Sequence, residues 1–164
     1  MSFLPTPTLA PVPKTKDSKR IALFYAIILV VMVVAQLFTY EKFLELMVGF
    51  GFPVGVQGTY FITAVLVSAE VFALPFLLRM PLSRAFRWVS MVAGWIVALL
   101  WVKLSFWIVF SDVATDTIGF LGTVVGLMPG WWAIFVSVSF AILAAWASWG
   151  MWPYAKAGAR KTKR

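Results

Sequence analysis

The chain has 164 residues, 62% of them hydrophobic and 12% charged, with a mean hydropathy of +0.93, which leaves too few polar groups to coat a water-soluble globule. Its formal charge of +8 lies in short basic runs beside apolar segments, the arrangement of residues that face anionic lipid headgroups; nucleic-acid binding is not expected. There is no cysteine and no histidine, which excludes thiol–disulfide exchange, zinc sites, histidine-ligated haem and the Ser-His-Asp or Cys-His triads.

Residues 1–20 are rich in proline and threonine and then basic (Lys14, Lys16, Lys19, Arg20). They carry no apolar period, which predicts a disordered cytoplasmic tail. The apolar run that follows, from Ile21 to about Tyr40, begins too late for a cleavable signal and is long enough to span a bilayer. Beyond it, Phe43, Leu46, Met47 and Phe50 recur at helical spacing before Gly51 and Pro53, the pattern of a short helix lying in the interface. A second span is expected over 59–78, carrying Glu70 and Pro75, then a brief basic loop with Arg79, Arg84 and Arg87. The third span, 88–110, contains Lys103. Residues 111–130 form a long glycine-rich connection, apolar apart from Asp112 and Asp116, expected to dip partly into the membrane; the two aspartates read as solvated charges, since two carboxylates make a poor cation site. The fourth span, 131–152, is flanked by Trp131 and Trp132 at one end and by Trp149, Trp152 and Tyr154 at the other, where indoles favour the interface. A basic tail, 155–164, completes the chain.

The expected fold is therefore an all-α membrane protein: one transmembrane domain over 21–154, a four-transmembrane-helix bundle with a short interfacial helix after the first span. Twelve of the fourteen lysines and arginines fall on one side of these spans, all but Lys42 and Lys103, which predicts that both termini are cytoplasmic; the expected location is a bacterial cytoplasmic (inner) membrane. Lipid gives helices no hydrophobic reason to associate, so small residues should mark the seams: Gly94 with Ala98 on span three, and Ser137, Ala141 and Ala145 on span four.

Glu70 lies eleven residues into its span, roughly 16 Å along the helix, where a carboxylate is costly. It must face the bundle and be paired, hydrogen-bonded or protonated, with Ser68 or Ser105 as neighbouring hydroxyls. Pro75 frees the carbonyl of Val71 and is expected to kink the helix beside it. Lys103 sits nearer the outer surface, where Glu41, Glu45 or Asp112 are its expected partners, or it snorkels outward. Gln36, Glu41, Lys103 and Glu70 together are candidates to line a polar cavity whose donors suit quinone carbonyls and whose carboxylate carries the accompanying protons.

In order and spacing, Tyr40-Glu41-Lys42-Phe43, the Gly49-Phe50-Gly51-Phe52-Pro53 turn, Glu70 in the second span and Leu82-Ser83-Arg84 after it resemble the DoxX-like family of small four-helix membrane proteins, whose relatives include MauE and membrane subunits of thiosulfate:quinone oxidoreductase. The chain departs from the family pattern at Phe72–Leu78, where glycines are usual. The resemblance implies a bundle working beside a redox partner in contact with quinone, with Glu41, Lys42, Glu70 and Arg84 as site residues. The resulting expectation is an accessory subunit of a membrane redox or respiratory assembly, non-catalytic rather than a stand-alone enzyme, in contact with lipids and protein partners as a hetero-complex or homo-oligomer. The alternatives are a proton-coupled transporter using Glu70 and a membrane scaffold or assembly factor in which Glu70 is only structural.

Overall fold

Among the described residues five helices follow one another in chain order: α1 (Lys16–Phe38), α2 (Tyr40–Gly49), α3 (Gly55–Leu77), α4 (Arg84–Phe110) and α5 (Trp131–Gly150). The structure is a computed structural model, and it describes residue 10 and residues 12–111 and 113–152. All helices but α2 are long and apolar enough to cross a membrane. They close into a ring in which α3 packs on α4, α4 on α5, α5 on α1 and α1 on α3.

The distribution of polarity is inverted relative to a water-soluble protein. Phe38, Phe61 and Phe135 are at least 70% exposed on the outside, while Gln36, Glu70, Thr63, Ser90, Ser105 and Ser137 are fully buried within. Such a surface is stable against acyl chains, and its interior is where polar groups must find partners. The molecule is an integral membrane protein by this criterion: a four-helix membrane bundle with one short extra helix.

Several expectations are corrected in detail. Helix α1 begins at Lys16, so residues 16–20 are helical rather than part of a disordered tail. Thr15 caps this end, its hydroxyl accepting from Ser18 N at 3.1 Å, and the Lys14 N–H donates to Gly150 O at 2.9 Å, tying the helix start to the end of α5. The remainder of the expected tail, residues 1–9 and 11, lies outside the described residues, as do Asp112, Tyr154 and the basic tail. Helix α2 has the expected apolar face, but that face is covered by protein, with Phe43, Met47 and Phe50 in the core. On α5 the buried row is Ala133, Ser137, Phe140, Ala144 and Ala147, while Ala141 and Ala145 are half-buried; on α4, Gly94 and Ala98 are buried as expected.

Pro75 lies inside α3, which continues to Leu77. The proline ring disturbs the hydrogen-bond ladder one turn back, and Ser90 of α4 repairs it. The Ser90 hydroxyl donates to Phe72 O at 2.6 Å and accepts from Phe76 N at 2.9 Å, taking the place of the bond those two groups would otherwise make with each other. A buried amide and carbonyl left unpaired each carry a desolvation penalty of about 1–3 kcal/mol. Ser90→Ala is therefore expected to lower the melting temperature in mild detergent by several degrees, and an unchanged melting temperature would show that the helix closes its own ladder without Ser90.

Candidate functional site

Three long side chains meet at the centre of the ring. Glu70 lies fifteen residues after the start of α3, about 22 Å along the helix from the α2 end of the bundle. Helical side chains lean toward the N-terminus of their own helix. Glu70, on a helix that starts at the α2 end, thus leans toward that end. Gln36 and Trp101 lie on helices that run toward it and so lean back to meet the carboxyl.

The carboxyl oxygen Oε1 of Glu70 accepts from Trp101 Nε1 at 3.0 Å and from Gln36 Nε2 at 3.3 Å. The same amide nitrogen of Gln36 donates to Phe120 O at 3.2 Å. One cluster therefore joins α1, α3, α4 and the connection between α4 and α5. Glu70, Gln36 and Trp101 are all fully buried. Two oxygens of the cluster, Glu70 Oε2 and Gln36 Oε1, have no hydrogen-bond partner, and neither does the buried Ser105 Oγ of α4.

The connection of residues 113–130 is folded into this end of the bundle. Ile118 and Phe120 belong to the core, and the Phe120 ring lies against Trp101 (centroids 4.5 Å apart), Phe140 (5.7 Å) and Trp132 (6.2 Å). Thr117 organises the loop: its hydroxyl accepts from Gly119 N and Leu127 N at 3.3 and 3.2 Å, while the Ile118 N–H donates to Leu127 O. Gly122 has φ +58, and a Cβ there would fall 2.9 Å from Ala35 O and 2.6 Å from Thr39 Oγ1, so only glycine lets the loop approach α1 this closely. The Thr39 hydroxyl then accepts from Thr123 N at 3.2 Å.

Of the residues singled out in the sequence, the structure brings Glu70 and Gln36 together and leaves the others apart. Lys103 is two positions from Trp101, about 200° around the helix, and so lies on the opposite face. It is exposed at a separate cavity of about 110 Å³ walled by Phe52, Pro53, Ile62, Leu104 and Trp107. Glu41 and Lys42 are exposed on α2, and Arg84 is exposed at the start of α4. Neither expected hydroxyl contacts Glu70: Ser68 is exposed on the outside, and Ser105 Oγ is buried without a partner.

Trp101 and the Phe120 carbonyl are the two members of the cluster that the sequence reading did not name. The signal for Trp101 was present, since a tryptophan in mid-span is away from the interface and its N–H must find an acceptor in the bundle. Among the described residues no group of three or more aspartate, glutamate, histidine or cysteine side chains is placed to hold a metal ion. Comparison of the chain with protein-family models, curated proteins and solved structures finds no match.

If Gln36 pins the loop, Gln36→Leu should release it by leaving Phe120 O unpaired, at a cost of about 1–3 kcal/mol. Hydrogen exchange at the Ile118 and Gly122 amides is expected to rise at least tenfold in the variant, while amides in the middle of α4 stay protected. Equal protection in both proteins would mean that the ring of Phe120, and not its carbonyl, holds the segment.

Proposed function

We propose that the protein is a non-catalytic accessory subunit of a membrane redox or respiratory assembly, DoxX-like in kind, seated in a bacterial cytoplasmic membrane with both termini in the cytoplasm. The observation that carries this reading is the sealed state of Glu70. The only acid buried among the described residues is held by an amide and an indole under the Phe120 plug, with no second acid beside it. Such a centre suits a bundle that holds its shape for a partner better than one that must admit and turn over a substrate. Quinone or another lipid-like molecule then meets the subunit from the bilayer side, beside α3, and not at Glu70 itself. The bias of twelve basic residues to one side favours a single fixed orientation.

A second reading is favoured by the unpartnered oxygens Glu70 Oε2 and Gln36 Oε1. When the carboxyl takes up a proton on Oε2, its O–H supplies the one donor that this acid–amide pair lacks. Glu70 then serves as a proton carrier, and the 113–130 segment has to open for each exchange.

Recovery of the tagged protein in mild detergent, with mass spectrometry of the eluate and extraction of quinone, separates the readings. The accessory-subunit reading expects redox subunits in the eluate and the same yield from Glu70→Gln, which keeps the acceptor for Trp101. A clean homo-oligomer without quinone, combined with loss of proton flux in Glu70→Gln proteoliposomes, would overturn it in favour of the carrier.

A further inference from the structure

On the face that α3 and α4 turn away from the bundle there is a groove of about 530 Å³, walled by Ala64, Ser68 and Phe72 from α3 and by Val89, Ala93 and Ile96 from α4. Small side chains open it: alanine or serine stands at three of these six positions. Trp88 lines its end near the α4 N-terminus, and beside it the Phe72 and Phe86 rings meet edge to face at 6.3 Å. Four residues before Trp88, and so on the same face of α4, stands Arg84, exposed.

We propose that this groove binds one acyl chain of an anionic phospholipid whose phosphate is held by Arg84. Two quantities and one charge agree on that occupant. At about 30 Å³ for a group the size of a water or a methylene, the groove has room for on the order of 15 to 20 carbons, the size of one acyl chain. From Ile96 to Arg84 is about 18 Å along the helix, close to half of the roughly 30 Å hydrocarbon core plus the step up to the headgroups. Among the described residues, Arg84 stands on this face of α4 at the headgroup end, where a guanidinium can hold two phosphate oxygens at once. The inference does not depend on the accessory-subunit reading, since a carrier or a scaffold would have the same groove.

The test is native mass spectrometry of the delipidated full-length protein in detergent, offered equal amounts of phosphatidylglycerol and phosphatidylcholine with the same acyl chains. The wild type is expected to retain phosphatidylglycerol about fivefold over phosphatidylcholine, the preference that one surface arginine supplies. Arg84→Gln should bring the ratio close to one, and Ser68→Phe, which fills the groove from an exposed position, should reduce retention of both lipids. Equal retention by the wild type, or a preference that survives Arg84→Gln, would overturn the proposal. So would a second copy of the chain in the groove: the protein has no cysteine, so efficient disulfide-linked dimers from Ser68→Cys in membranes under mild oxidation would show that occupant directly.

Discussion

A carboxyl in the middle of an apolar bundle needs donors that the surrounding lipid cannot supply, and the arrangement of this protein's interior follows from how Glu70 obtains them. Two donors converge on Oε1, one from α1 and one from α4. Because hydrocarbon offers no substitute, each bond is also a constraint on where its helix can sit. The Gln36 amide works twice, bonding Glu70 with one hydrogen and Phe120 O with the other. Position 36 is thus where the helix ring and the loop that closes it share one atom.

The closing segment illustrates how irregular backbone is tolerated at this depth: it is covered by protein and its polar groups are satisfied locally. Thr117 supplies acceptors to two amides from one hydroxyl, and Thr39 supplies another across the gap from α1. The aromatic ring of Phe120 then fills the space among Trp101, Trp132 and Phe140. Apolar filling and polar anchoring fall on the same residue, one through its side chain and the other through its carbonyl.

The spans were legible because their signal is additive over about 20 residues; α5 begins at the expected Trp131 and α4 ends at the expected Phe110. Helix starts were less so. The apolar pattern begins at Ile21, whereas the helix begins at Lys16, because the cap is set by the Thr15 hydroxyl and not by hydropathy. At the site, depth identified Glu70 and the end of α1 identified Gln36, but depth alone does not give azimuth. Lys103 and Trp101 lie within one turn of each other and face opposite ways, so a reading by depth grouped the wrong one with Glu70. The Phe120 carbonyl was beyond reach, since any residue offers that group and only the folded loop selects one.

The repair at Pro75 has a consequence for motion. Ser90 holds both Phe72 O and Phe76 N, so sliding α3 past α4 by a single turn, about 5.4 Å, would break both bonds at once in a medium without water to replace them. These two bonds favour one register between the helices, so that α3 and α4 tend to move together. Movement between helices then falls more readily to the places where α1, α5 and the looped segment meet this pair through side chains such as Gln36 and Trp101, which can change partners.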